Sequence, residues 1–110
     1  SYNSTSNRIT VANTTSLGGF MNNRTSSTSF KTFKNGTQLG TTLTTASSGF
    51  SSLGGNVYIG CLNYSNSSSP SFYSNRQCAF SSIGDGLTDA EATTFYNAVQ
   101  AFQTSLGRQV

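Results

Sequence analysis

The sequence predicts a mostly β fold of antiparallel strands, finished by one C-terminal α-helix over about 89–106. Three observations carry that expectation. Asn35-Gly36 stands between two β-prone runs, the pattern of a tight hairpin. Thr88-Asp89-Ala90-Glu91 opens an apolar-periodic segment with a capping-box pattern. Eight Phe and five Tyr accompany a charged fraction of only 8%, whereas disordered chains are usually charge-rich and aromatic-poor. With 110 residues the chain suffices for one core, so a single domain over 1–110 is expected.

Residues 1–17 read as a loosely ordered lead-in, rich in Ser, Thr and Asn, with one short strand at Arg8-Ile9-Thr10-Val11-Ala12. Phe20 to Arg24 follows, then Ser29 to Lys34, the Asn35-Gly36 turn, and Thr37 to Leu43. A type I′ turn needs positive φ at both central residues, and Asn and Gly tolerate it best. A two-residue loop pairs Lys34 with Thr37, Thr32 with Leu39 and Phe30 with Thr41. Phe30, Leu39 and Leu43 then share one side of the sheet, and Phe33 and Gln38 the other.

Beyond a Ser/Gly stretch, Asn56 to Asn63 alternates as a strand, with Val57, Ile59 and Cys61 on one face and Tyr58 and Leu62 on the other. A polar loop containing Pro70 leads to a second expected strand, Arg76 to Ile83. Folding the two together sets Cys61 opposite Cys78. Either a disulfide follows, contributing about 3 kcal/mol through loop closure, or the two remain small buried thiols.

The C-terminal helix starts where the Thr88 hydroxyl can accept the Glu91 N–H while the Glu91 carboxylate accepts the Thr88 N–H. Ala92, Phe95, Val99, Phe102 and Leu106 then recur at three and four residues as one apolar stripe, and Gly107 supplies a stop. Asp89 and Glu91 occupy the first turn, where the helix dipole favours negative charge. Of the three acids only Asp85 lacks an assigned structural role.

That inventory excludes much chemistry. There is no His, and paired-carboxylate hydrolysis needs two acids facing a cleft. No catalytic residue, no metal site and no cofactor are expected. Gly84-Asp85-Gly86 reads as a turn rather than a calcium loop. The net charge of +3 is spread without a Lys/Arg cluster, a weak basis for nucleic-acid binding. No apolar run reaches the length of a membrane span. Six Asn-x-Ser/Thr sequons are only a modest excess in a chain so rich in these residues.

What the composition does supply is neutral recognition chemistry. Ser, Thr and Asn make up 47 residues, and Tyr58, Asn63, Tyr64, Asn66, Tyr73, Asn75 and Arg76 gather on and around one loop. Aromatic rings for stacking with amides and hydroxyls for hydrogen bonding suit a sugar surface. A solvated Ser/Asn-rich loop has the same composition, and the residues leave both readings open.

The block Asn56-Val-Tyr-Ile-Gly-Cys-Leu-Asn63, then Arg76-Gln-Cys-Ala-Phe-Ser-Ser-Ile-Gly-Asp-Gly-Leu-Thr-Asp-Ala-Glu91, then Phe95 to Gln103, resembles the C-terminal half of concanavalin A-like (laminin-G-like) jelly-roll domains. Arg24 and Phe33-Lys34-Asn35-Gly36 look like the same family's strand ending in a turn, so the resemblance covers about 18–110. It implies a lectin-like antiparallel β-sandwich that is incomplete here, because such domains run near twice this length. Other chains or a homo-oligomer would then complete it. The family's glucanase carboxylates and its lectins' calcium ligands have no counterparts in this sequence. The resemblance therefore implies a non-catalytic, carbohydrate-binding or surface-binding module, extracellular or on a virion surface such as a phage tail fibre. Its partner would be a glycan or cell-surface polysaccharide. The alternative is a purely structural protein that self-assembles.

Overall fold

The computed structural model describes residues 9–46, 58–61 and 71–108. The chain divides into two compact units, one made of Ser1–Gly49 with Gly84–Val110 and the other of Phe50–Ile83.

The first unit holds a three-stranded antiparallel sheet in the order β1 (Phe20–Ser26), β2 (Ser29–Lys34), β3 (Thr37–Leu43), followed by α1 (Asp89–Ser105). The β2–β3 hairpin turns at Asn35 and Gly36 with φ of 51° and 75°, the left-handed pair that a type I′ turn requires. Asn35 also ties this turn to the chain entering β1. Its N–H donates to Gly19 O and its Oδ1 accepts from Gly19 N–H, both at 2.9 Å.

The pairing near the turn follows the sequence expectation, with Lys34 opposite Thr37 and Thr32 opposite Leu39. Farther out it differs: Phe30 lies opposite Leu43, not Thr41. Gly40, at φ 65°, lets β3 bulge between these pairs. Gln38 Nε2 donates across the irregularity to Gly40 O and Thr42 Oγ1. The slip covers an even number of residues, so the alternation of faces survives it.

β1 completes the sheet despite its Asn-rich sequence. One face of the β1–β2 ladder pairs Phe20 with Lys34, Asn22 with Thr32 and Arg24 with Phe30. At each end a cation lies over a ring, Lys34 Nζ 5.4 Å from the Phe20 centroid and Arg24 Cζ 5.1 Å from that of Phe30. Between them Thr32 Oγ1 and Asn22 Oδ1 share a 3.0 Å hydrogen bond. The lead-in reaches this face where Lys34 Nζ donates to Asn13 Oδ1 and Thr15 O. Ile9 to Ala12 is irregular, so the described part of the expected Arg8–Ala12 strand does not form one.

The opposite face pairs Met21 with Phe33 and Asn23 with Lys31, and it meets the start of α1. Asn23 is buried and binds the backbone of Leu87 twice, donating from Nδ2 to Leu87 O at 2.6 Å and accepting Leu87 N–H at Oδ1 at 2.9 Å. One residue earlier Gly86 passes so close to β1 that a Cβ there would strike Arg24 O. Lys31 Nζ pairs with both carboxylate oxygens of Asp89 at 2.6 and 2.7 Å. Three contacts in four residues thus fix the helix entry on the sheet.

The capping box is complete: Glu91 N–H donates to Thr88 Oγ1, and Thr88 N–H donates to Glu91 Oε2. These bonds hold the exposed Glu91 carboxyl below its ordinary pKa of 4.5, the backbone donor contributing most. At the other end Gly107 N–H donates to Thr104 O and Arg108 N–H to Gln103 O, the Schellman closure, with Gly107 at φ 65°.

The buried face of α1 is turned from the expected stripe. Ala92 and Gln103 are buried, whereas Phe102 and Leu106 are 49% and 48% exposed. Among the described residues the buried apolar side chains are Phe30, Phe33 and Ala92. No described helix is long and apolar enough to cross a membrane. The structure therefore bears out an antiparallel sheet and one C-terminal helix, with mixed α and β content.

Candidate functional site

The second unit holds the described residues singled out for recognition. Tyr58 to Cys61 forms a bend, not the expected strand, and Gly60 at φ 76° departs from extended backbone. Arg76 to Ile83 is likewise irregular where a strand was expected. β-propensity measures how well a residue fits a paired, half-buried surface, and neither described segment forms a ladder that would favour extension. A different link joins them: Ser74 N–H donates to Gly60 O at 2.7 Å, bringing the bend against the segment that carries Tyr73, Asn75 and Arg76. Ser74 Oγ in turn accepts the Arg76 N–H at 3.2 Å, an ST-turn that shapes the backbone at Asn75.

Cys61 and Cys78 are free thiols, the first half-buried and the second exposed, so neither the expected bridge nor the expected pair of buried thiols forms, and no strand runs through either residue. The Cys78 thiol instead donates to Phe80 O at 3.2 Å. Among the described residues no three Cys, Asp or Glu side chains converge as a metal site would need.

Of the seven residues expected at a binding surface, Tyr58 is half-buried, Tyr73, Asn75 and Arg76 are exposed, and Asn63, Tyr64 and Asn66 lie outside the described residues. The structure adds Phe72, which the composition argument passed over. Its ring is 79% exposed beside Tyr73 at 73%, and its φ is 52°. A non-glycine residue in the left-handed region costs about 1–2 kcal/mol, and such strain concentrates at ligand-contacting segments. Large neighbouring aromatics in solvent give up burial that folding would ordinarily reward by about 2–3 kcal/mol per ring. The available sequence signal was adjacency to Tyr73 just after the only proline.

The exposed segment thus presents two aromatic rings followed within three residues by an amide and a guanidinium. Stacking on an apolar face and hydrogen bonding to hydroxyl or carboxylate groups are what this set can do. The segment 71–83 itself carries no Asp, Glu or His. Comparison with known protein families, characterised proteins and solved structures finds no match for the chain.

Proposed function

We propose that the protein is a non-catalytic binding module for a glycan or cell-surface polysaccharide, with Phe72, Tyr73, Asn75 and Arg76 as its contact residues. The observation that carries this reading is the strained, solvent-facing Phe72 beside Tyr73. Sugar rings present flat C–H faces that stack on aromatic rings, and rim hydroxyls that suit Asn and Arg. The composition points the same way, since a surface of hydroxyls and amides binds neutral polymers without charge-driven promiscuity. In this reading the three-stranded sheet is part of a concanavalin A-like sandwich whose remaining strands other chains supply, in an extracellular or virion-surface assembly.

Glycan-array screening of the wild-type chain beside Phe72→Ala and Tyr73→Ala tests it. Selective binding that falls by at least about tenfold in each variant supports the proposal, because truncating an aromatic anchor has that scale of effect. Absence of binding across the array, or binding indifferent to both changes, refutes it.

One observation favours a second reading, a structural subunit that assembles through its sheet. Among the described residues β3 lies at the sheet's edge, next to β2 alone, and it carries no charged residue from Thr37 to Leu43. Charges on an edge strand ordinarily discourage pairing with another chain. Filament formation without glycan binding would select this reading.

A further inference from the structure

We infer that Asn35 is a self-modification site, where the backbone nitrogen of Gly36 converts the side-chain amide to a carboxylate at a rate set by a latch from Gly18 and Gly19. Asn35-Gly36 is the one Asn-Gly pair in the sequence. Every other asparagine is followed by a residue whose Cβ crowds the nitrogen that would have to attack. Asn35 also stands exposed at the tip of the β2–β3 hairpin, open to the water the reaction consumes.

The chemistry needs no further group. The Gly36 amide nitrogen gives up its proton and attacks Asn35 Cγ, closing a five-membered succinimide. The Cγ–Nδ2 bond breaks, and the departing nitrogen takes up that proton and leaves as ammonia. Water then adds to one of the two ring carbonyls. Opening at Cγ yields aspartate, and opening at the main-chain carbonyl yields isoaspartate. Aspartate keeps an acceptor for Gly19 N–H. Isoaspartate adds a carbon to the main chain between Lys34 and Thr37, so the two-residue loop no longer closes as a type I′ turn.

The fold restrains the first step. Asn35 N–H donates to Gly19 O and Gly19 N–H donates to Asn35 Oδ1, both at 2.9 Å. Gly18, at φ 119°, packs so closely that a Cβ there would overlap Asn35 Oδ1. Against Gly36 lies the Tyr96 ring, whose Cδ1 would be 2.9 Å from an added Cβ. The turn thus fixes the backbone of Asn35 and the latch fixes its side chain. Ring closure needs Cγ and the Gly36 nitrogen free to come into line, so it proceeds through local opening of the latch.

Incubating the full chain at mildly alkaline pH, in native buffer and in denaturing urea, tests the inference, with each asparagine followed by peptide mapping and tandem mass spectrometry. Asn35 is expected to gain the acid ahead of the other asparagines in both solvents. Its native rate should be slower than its rate in urea by about tenfold or more, the opening factor of two hydrogen bonds. Gly18→Ala, whose Cβ displaces the Asn35 side chain, should raise the native rate towards the urea value while circular dichroism shows α1 retained. If that variant unfolds, the wild type in the two solvents decides alone. Another asparagine converting ahead of Asn35 overturns the assignment of the site. Equal wild-type rates in the two solvents, or a folded Gly18→Ala chain that keeps the wild-type rate, overturns the latch.

Discussion

Replacing Asn23 with Ala should uncouple the helix entry from the sheet. The Asn23 amide serves both backbone groups of Leu87, at 2.6 and 2.9 Å, from a buried position on β1. Removing it leaves a partly buried N–H and a partly buried C=O without that partner, each costing about 1–3 kcal/mol. Leu87 is only half-buried, so water recovers part of this, and a total of about 2–4 kcal/mol is expected. Urea unfolding followed by circular dichroism reads the loss. With a slope of about 1–3 kcal/mol per molar for a chain of this size, the midpoint should fall by about 1–2 M. Hydrogen exchange supplies a local readout, since the Leu87 amide should lose protection before the amides of β2. Asn23→Asp sharpens the logic: it keeps the acceptor for Leu87 N–H but sets a carboxylate oxygen against Leu87 O. It should therefore be less stable at neutral pH than in acid, where the protonated carboxyl regains a donor. An Asn23→Ala midpoint within error of wild type, with Leu87 protection retained, would refute the clamp.

Gly86→Ala should destabilise by about 1–3 kcal/mol, the cost of overpacking, because its Cβ meets the Arg24 carbonyl; thermal melts check this. Thr88→Ala should cost about 1 kcal/mol and fray the helix start, read by circular dichroism. Glu91 has a lowered folded-state pKa, so its contribution is complete above 4.5 and lost as pH falls through the lower folded value. Acid titration of helicity should show that loss in the wild type and not in Glu91→Gln. Phe72→Ala and Tyr73→Ala should leave the melting temperature nearly unchanged, within about 0.5 kcal/mol of stability, since neither ring is packed.

What could be read in the sequence was what local chemistry decides. Asn35-Gly36 fixes a turn by φ alone, and Thr88, Glu91 and Gly107 cap a helix through bonds to residues within a few positions. β1 was harder to recognise because Asn22 and Asn23 are poor strand formers. Their places depend on distant partners, Thr32 for one and Leu87 for the other. The face of α1 was misjudged for a related reason. Hydrophobicity puts Phe102 inward and Gln103 outward, but in the folded chain Gln103 takes the buried place and Phe102 is half exposed. The alternating segment Tyr58 to Cys61 carried strand propensity without a ladder, and Gly60 turned it. At the candidate site Tyr73, Asn75 and Arg76 were legible from residue type. Phe72 stood out only once its backbone conformation and exposure were known.

Titration calorimetry with an array-selected oligosaccharide is the most direct measurement. Recognition through the exposed ring pair requires saturable heat for the wild type and none for the Phe72→Ala/Tyr73→Ala double variant, with identical circular dichroism spectra and the sugar recovered intact. Undiminished heat from the double variant, or a sugar cleaved in a manner that Asp85→Asn abolishes, would contradict it.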